Sequence, residues 1–394
     1  MSPDADQLRA TLVYNLTQEG HLTDPAWREA VATVPRHLFT PGFYLRSETT
    51  PIGTPGLPVW EPVTAKIDQQ RWLEAAYRNE TLITQLDGTE EDWEAPTTRH
   101  GGLYTSSATL PSLVVNMWQD ADIHDGHRVL EIGTGTGYST ALACERLGSK
   151  LVTSVEVDDA RLCQAADGFN ACGYAPRLAV ADGVHGYWPN APYDRIVAAC
   201  SMRHVPAPLL SQTTPGGMIL LTLSGWMEGS ARVLLTVDAN DSAEGPLLPG
   251  TISFMPARVH APPAFGNPSH WAALASDVPA RRAHHSPDRI SGSNESFFTQ
   301  FLAQGRVPNA QRATLDGVLH LVDTVSGSVA LIDADDMVRQ AGPVPLWSQV
   351  EEILDAYDDA GCPDQSEFRM RVTPSGQYLE HPNMPTLAIA PVIA

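Results

Sequence analysis

Short apolar runs alternate with amphipathic segments between residues 103 and 259. Val129–Ile132 predicts a short buried strand, and Tyr138–Leu147 predicts a helix that ends at Gly148. Further strands are predicted at 151–157, 178–180, 193–199 and 218–223, with a helix over 159–173. Strands separated by helices of this length predict a parallel, doubly wound α/β sheet. Residues 233–237 and 251–254 predict antiparallel edge strands.

The pattern before residue 103 is different. Ser2, Pro3 and Asp4 predict a helix start, followed by leucines on one face, and Asp24-Pro25 predicts a second start. Residues 35–62 are rich in Pro, Gly and Thr and predict an extended arm or loop. A helix is expected at 72–77 and an acidic surface loop at 89–98.

A second shift in composition comes after the α/β pattern. Residues 261–287, rich in Pro, Ala and His, predict a linker. Beyond it, a helix from Ser293, a helix opened by Pro345, and hairpins at 319–333 and 368–379 predict a small α+β module. We therefore expect N-terminal helices and arm at 1–100, a core at 101–260, a linker at 261–290 and a C-terminal substrate-recognition module at 291–394.

The net charge and the cysteines of the chain argue against several classes of function. Twenty-five Lys and Arg stand against 46 Asp and Glu, a formal charge of −21, which disfavours binding to nucleic acid or an anionic membrane. The five cysteines form no CxxC pair, so neither a disulfide framework nor a metal site is expected. No apolar stretch approaches ~18 residues and the N-terminus is not a signal peptide, so we expect a soluble cytoplasmic protein.

The segment that carries chemistry is the glycine-rich turn after the first core strand. It reads Gly133-Thr134-Gly135-Thr136-Gly137, and glycine permits positive φ and close approach of a ligand to the backbone. Glu131, two residues before it, disfavours a pyrophosphate and suits a ligand with a cationic amino-acid end, such as S-adenosylmethionine.

Two further strands also end in acids. Glu156, followed by Val157, is placed to accept hydrogen bonds from the ribose hydroxyls of such a ligand. Asp182, followed by Gly183, is placed to accept a hydrogen bond from the exocyclic amine of adenine. A helix cap is the alternative role for any one of these acids. Three in order around a glycine turn favour a cofactor site.

A family resemblance rests on several ordered motifs in the first two thirds of the chain. The sequence resembles the protein-L-isoaspartate (D-aspartate) O-methyltransferases, class I S-adenosylmethionine-dependent enzymes with a Rossmann-like sheet. The motifs are Pro35-Arg36-His37-Leu38-Phe39, Ala76-Tyr77-Arg78-Asn79-Glu80, the glycine turn, Ala181-Asp182-Gly183, Ala191 to Ile196, Pro215-Gly216-Gly217 and Ile252 to Pro256.

The active-site loop departs from the family pattern Thr-x-Ser-x-Pro. Anchored on Pro111, the chain has Ser107 where the family has threonine and Thr109 where it has its essential serine. The resemblance implies that these two hydroxyls are catalytic and that Ser106 joins the glycine turn and the strand-end residues in binding the cofactor. The alternative is a Ser/Thr-rich turn that caps the next helix.

About 130 residues follow the core, unlike the short repair enzymes of the family. Motifs such as Pro345-Leu346-Trp347 resemble the extension of long methyltransferases in ATP-grasp peptide-maturation systems. That resemblance implies methylation of an aspartate in a ribosomally made precursor peptide, with the ester closing to an aspartimide. Repair of isoaspartyl residues, methylation of a small molecule or nucleic acid, and a non-catalytic cofactor-binding adaptor are the alternatives.

Four other candidate groups favour roles outside catalysis and metal binding. His204 is expected to be an incidental loop histidine, and Cys200 a small buried apolar residue. The pair His284-His285 beside Arg281-Arg282 is expected to lie in a solvated linker, and Asp333, Asp335 and Asp336 lack the remaining ligands and spacing of a cation loop.

Overall fold

The structure, a computed structural model, describes residues 4–47, 57–290 and 296–389. The chain forms two compact units, Met1–Ala199 and Cys200–Ala394. In the part of the chain that is described, no helix is both long and apolar enough to cross a bilayer.

The first unit opens with two capped helices, α1 (Ala5–Gln18) and α2 (Pro25–Thr33). The Asp4 carboxylate accepts the Asp6 N–H at 3.2 Å, and the Asp24 carboxylate accepts the Ala26 N–H at 2.7 Å. These caps offset helix N–H groups that have no intrahelical partner. The predicted start at Asp24 is confirmed, whereas Ser2 and Pro3 lie outside the described residues.

An antiparallel sheet follows where an arm was predicted. A short 3-10 helix, Arg36–Phe39, precedes it, and its strands have the order β4-β2-β1-β3-β5. The elements are β1 (Gly42–Arg46), β2 (Val59–Thr64), α3 (Ala65–Ala76), β3 (Leu82–Leu86), β4 (Arg99–His100) and β5 (Tyr104–Ala108). The prediction of an extended arm or loop over 35–62 is wrong at β1 and at the start of β2, where alternate side chains pack on two faces, and residues 48–56 of that range lie outside the described residues. Phe43 and Val63 lie in one buried cluster and Tyr44 and Trp60 in another.

The parallel sheet of the first unit confirms the α/β prediction. Its strand order is β8-β7-β6-β9, with α5 and α6 as the crossover helices. The elements are α4 (Pro111–Asp120), β6 (Val129–Ile132), α5 (Tyr138–Leu147), β7 (Val152–Glu156), α6 (Asp159–Cys172), β8 (Arg177–Val180) and β9 (Tyr193–Met202). The order reverses between β6 and β9, and the carboxyl edge at such a reversal is where doubly wound sheets bind ligands.

The second unit contains two antiparallel sheets. One has the order β10-β11-β12-β18-β19-β20 and the other β13-β17-β16-β15-β14. The first elements are α7 (Ala207–Ser211), β10 (Thr213–Ser224), β11 (Ser230–Val237), β12 (Ala243–Pro246), α8 (Pro268–Ala275), β13 (Arg281–Arg282) and α9 (Phe297–Arg306). The others are β14 (Ala310–Leu315), β15 (Val318–Asp323), β16 (Ser328–Ile332), β17 (Met337–Ala341), α10 (Leu346–Asp359), β18 (Arg369–Thr373), β19 (Gly376–Glu380) and β20 (Leu387–Ile389).

Both predicted C-terminal hairpins are confirmed, as β15–β16 and β18–β19. Residues 261–290, expected as a linker, instead contain α8 and β13, and β13 pairs with β17. Arg281 forms an ion pair with Glu351 on α10, so this stretch is anchored to a helix, while its neighbours Arg282 and His284 are exposed as expected. Residues 251–254 form no strand. The predicted helix start at Ser293 lies outside the described residues, and α9 is described from Phe297.

Candidate active site

The glycine turn joins β6 to α5 at the carboxyl edge of the parallel sheet. Gly133, Gly135 and Gly137 have φ of 93°, 54° and 93°, a region that favours glycine. A Cβ on Gly137 would lie 3.0 Å from Ala165, whereas one on Gly135 would meet only the Ser107 carbonyl oxygen, at 3.7 Å. Gly137 therefore permits close packing on α6, and Gly135 leaves its open side to a ligand.

Glu156, at the end of β7, is held in place by three backbone N–H groups. Its Oε2 accepts the Gly135 N–H at 2.8 Å, and its Oε1 accepts those of Val157 at 2.9 Å and Asp158 at 3.2 Å. The carboxylate is half-buried and touches the turn directly. Because a carboxylate offers about four lone-pair sites, it keeps capacity for hydroxyl donors. Val157 beside it is 44% exposed, an apolar side chain open to a ligand.

The end of β8 supplies the other predicted pair. The half-buried Asp182 accepts the Val184 N–H at 3.1 Å, which fixes one carboxylate oxygen. Gly183 is buried, and a Cβ there would lie 2.0 Å from the Ile132 side chain. Gly183 therefore permits the end of β8 to lie close to β6.

Glu131 differs from the expectation of a carboxylate that lines the crevice. It is 0% exposed, and its Oε2 accepts hydrogen bonds from the hydroxyls of Thr140 and Ser154. Its Oε1 has no partner. Burial raises the pKa of Glu131 to about 7, against the opposing effect of the nearby hydroxyls. The acid thus lies beneath the turn, and direct cofactor binding by Glu131 stays a prediction.

The buried hydroxyl of Thr134 joins the same network, because it lies 2.7 Å from the Ser154 hydroxyl. Among the turn residues, Thr134 is therefore turned towards the sheet. Its backbone, and those of the three glycines, are what the turn offers to a ligand.

The predicted catalytic hydroxyls lie at the end of β5 (Ser107) and directly after it (Thr109), and this segment, the Thr109 loop, lies against the glycine turn. The Ser107 carbonyl oxygen is the atom next to Gly135 already described. Ser107 and Thr109 are half-buried, whereas Ser106 is buried and its hydroxyl accepts a hydrogen bond from Thr84 at 3.0 Å. The structure therefore brings Ser107 and its loop to the predicted cofactor turn, and it turns the Ser106 hydroxyl towards β3.

Several residues support this loop, and the sequence analysis assigned none of them a role. The Asn79 side chain accepts the Ser112 N–H at 2.9 Å and the Thr81 hydroxyl accepts the Leu110 N–H at 3.3 Å, so both cap the start of α4. The buried Arg36 guanidinium donates to the carbonyl oxygens of Ala108 and Thr109. Arg36 and Asn79 belong to motifs that carried the resemblance, but the motifs alone gave these residues no role.

The other candidate groups have structural surroundings. His204 lies edge-on to His260 with ring centroids 4.8 Å apart, and burial lowers its pKa. His285 contacts Asp355 on α10 at 2.7 Å. Asp333 caps the backbone of Asp335 and Met337. Across the residues that the structure describes, no group of three or more His, Cys, Asp or Glu side chains is arranged to hold a metal ion.

The turn and its neighbours fit S-adenosylmethionine. The open side of Gly135 admits close approach, and Glu156 and Asp182 are fixed acceptors on adjacent strands. Nucleoside hydroxyl and amino groups are donors, so carboxylates at successive strand ends match their polarity.

Comparison with known proteins agrees with the geometry. The sequence profile of the protein-L-isoaspartate(D-aspartate) O-methyltransferase family matches residues 66–244. Protein-L-isoaspartate O-methyltransferase 1 of Archaeoglobus fulgidus is 29% identical over 255 residues, 64% of this chain and 94% of the relative. The Thermococcus sibiricus protein-L-isoaspartate O-methyltransferase is 32% identical over 154 residues, 38% of this chain and 67% of the relative.

A solved structure of a protein-L-isoaspartate O-methyltransferase shares the fold. Its TM-score is 0.53 at 20% identity, and the match covers 95% of this chain and 99% of that one. The fold, the family profile and the relatives lead to one assignment. The chain belongs to the protein-L-isoaspartate O-methyltransferase family and is a methyltransferase of the class I fold whose cofactor is S-adenosylmethionine.

Proposed function

We propose that this enzyme methylates an aspartyl-type side-chain carboxylate in a ribosomally made precursor peptide, and that the ester then closes to an aspartimide. The observation that carries the proposal is the position of the Ser107–Thr109 loop against Gly135. A peptide carboxylate on this loop would be next to the cofactor turn.

The chemistry requires little from the protein beyond positioning. A carboxylate with a reference pKa of about 4 is already ionised at neutral pH, so no general base is needed. S-adenosylmethionine, when bound, supplies an electrophilic methyl group. The Ser107 and Thr109 hydroxyls orient the carboxylate by hydrogen bonds and leave it nucleophilic, whereas a lysine or arginine would pair with it more strongly.

The glycine turn and the acids at the strand ends bind the cofactor in this proposal. Glu156 and Asp182 hold the nucleoside through its donors, and the backbone at Gly133, Gly135 and Gly137 takes the part of the cofactor that needs close approach. Val157 adds an exposed apolar side chain to this surface, and Gly183 lets the end of β8, with Asp182, lie close to β6. In this proposal Glu131 supports the turn from beneath.

Two features favour a precursor peptide over a damaged protein. Thr109 replaces the serine of the family pattern, which adds a methyl group where the substrate carboxylate would lie. The profile match also ends at residue 244, and the following residues include motifs like those of the peptide-maturation enzymes. In the closure of the ester to an aspartimide, the next backbone nitrogen forms a C–N bond to the ester carbonyl carbon. The C–O bond to the methoxy group breaks, and methoxide leaves with the amide proton as methanol.

Repair of isoaspartyl residues is the second candidate function. It is favoured by the names of the curated relatives, and by a solved structure of that name whose fold covers 95% of this chain. The length of the chain therefore does not distinguish the two functions. None of the five cysteines, which all lie in the described residues, forms a disulfide, and this suits a cytoplasmic setting for either function.

Mass spectrometry with methyl-labelled S-adenosylmethionine distinguishes these substrates. The full chain would be offered a linear isoaspartyl peptide, its aspartyl counterpart, and an aspartyl peptide cyclised through side-chain ester bonds. We expect one labelled methyl group on the cyclised peptide, followed by loss of methanol. A label on the isoaspartyl peptide alone would overturn the maturation proposal in favour of repair. If none of the three peptides became labelled, both substrate proposals would fail.

A further inference from the structure

Arg36 is a buried cation whose partners are backbone groups. It is 0% exposed at the start of the 3-10 helix before β1. Within the described residues no carboxylate lies within 4.0 Å of its guanidinium, and burial lowers its pKa to about 10. A buried charge without a counterion is retained only where other groups replace its hydration.

Five carbonyl oxygens take that place. Nη1 donates to Ala76 O at 2.8 Å and Arg78 O at 3.1 Å. Nη2 donates to Glu80 O at 3.1 Å, Ala108 O at 3.2 Å and Thr109 O at 3.1 Å. The acceptors belong to two separate segments, the end of α3 with the residues that follow it and the end of β5 with Thr109.

The same guanidinium also contacts the residue that follows the glycine turn. Its Cζ lies 5.8 Å from the centroid of the Tyr138 ring, and Tyr138 is the residue directly after Gly137. Arg36 therefore contacts the Thr109 loop and the first residue of α5 at once. A planar fork of fixed geometry sets the separation of the groups that it binds, which a lysine ammonium does not reproduce.

We propose that Arg36 is a positioning residue for methyl transfer, holding the Ala108–Thr109 backbone so that the Thr109 hydroxyl faces the cofactor turn. This inference rests on the proposed role of Thr109. A displacement of a reacting group by about 1 Å can cost about 100-fold in rate, so the loop backbone is a place where one buried side chain controls turnover.

A double-mutant cycle tests this role. The variants are Arg36→Lys, Thr109→Ala and the double variant, and the readouts are kcat with whichever peptide the wild-type enzyme methylates and the Kd for S-adenosylhomocysteine. We expect Arg36→Lys to lower kcat about 10- to 100-fold in the wild-type background but less than about 3-fold in Thr109→Ala. The Kd should stay within about 2-fold in both backgrounds, because the cofactor acceptors are elsewhere.

Arg195 offers a matched control in the same unit. It is also buried, and it donates to the carbonyl oxygens of Ala121 at 2.7 Å and Asp122 at 3.0 Å, away from the Thr109 loop. Arg195→Lys should lower the unfolding temperature but change kcat by the same factor in both backgrounds.

The outcomes separate the two proposals. Equal loss of kcat from Arg36→Lys in both backgrounds would overturn the positioning role. Wild-type kcat in Thr109→Ala would instead overturn the proposed role of Thr109. Arg36→Gln repeats the cycle if the lysine variant does not fold. If neither Arg36 variant folds while Arg195→Lys does, the guanidinium serves the fold and the positioning claim is wrong.

Discussion

The two sides of the site are supported over very different distances along the chain. On the cofactor side, the partners Glu156 and Gly135 are 21 residues apart, and Thr140 and Glu131 are 9 apart. On the substrate side, Thr109 is held by Arg36 from 73 residues away. The first side is one continuous segment from β6 to the end of β8, and the second is assembled from three separate parts of the first unit.

Because the two sides are supported differently, substitutions in them are expected to change different measured quantities. A change on the cofactor side is expected to alter binding of the nucleoside, since Glu156 and Asp182 are the acceptors proposed to contact it. A change on the substrate side is expected to alter turnover, because its supports act on the Thr109 backbone. Separate measurements of Kd and kcat therefore test whether the two sides are independent.

Glu156→Ala should give the largest change in binding. The substitution removes the carboxylate proposed to accept the ribose hydroxyls, and hydrogen bonds to a charged group contribute about 1.5–3 kcal/mol each. We expect the Kd for S-adenosylhomocysteine to rise about 100- to 1000-fold in calorimetry. Glu145→Ala is the matched control, because Glu145 is exposed on α5 and accepts the Tyr174 hydroxyl at 2.7 Å. An unchanged Kd in Glu156→Ala would contradict the cofactor site.

Glu131 should make stability depend on pH. Its folded pKa, about 7, is raised from 4.5, so the native state keeps the proton after the unfolded chain has lost it. The contribution of Glu131 is therefore complete below about pH 4.5 and is lost as the pH rises to about 7. A difference of about 2.5 pKa units corresponds to about 3 kcal/mol.

Denaturant unfolding at pH 5 and pH 8 measures this effect. Between these values the wild-type chain should lose about 2.5 kcal/mol more unfolding free energy than Glu131→Gln, which cannot ionise. The difference between the two proteins cancels the contribution of other titrating groups. The same pH response in both proteins would show that Glu131 is not the buried acid responsible.

The same contrast in distance explains how much could be predicted from sequence. The order of β6, α5, β7, α6 and β8 was predictable because apolar periodicity and glycine are local signals. The positions of Glu156 and Asp182 followed, since parallel strands end at one edge of the sheet. Burial of Glu131 was not predictable, because it depends on which hydroxyls of α5 and β7 face the carboxylate.

The sheet of β1 to β5 and the folded stretch at 261–290 were missed for a related reason. These segments are rich in Pro and Gly, a composition typical of loops. They become strands only by pairing with residues that are distant in the sequence. Gly42 in β1 pairs with Thr64, and Arg281 in β13 pairs with Val338. Tertiary packing overrides local preference in such strands. The role of Arg36 was hidden for the same reason, because its acceptors are backbone atoms without a residue signature.

The most direct test of substrate positioning by the Thr109 hydroxyl is the turnover of Thr109→Ala. With saturating labelled S-adenosylmethionine and the peptide that the wild-type enzyme methylates, kcat should fall about 100-fold or more, as for loss of one positioned donor. The Kd for S-adenosylhomocysteine should stay within about 2-fold, and Thr109→Ser, which keeps the hydroxyl, should retain most of the turnover. Wild-type kcat in folded Thr109→Ala would show that this hydroxyl does not position the substrate carboxylate.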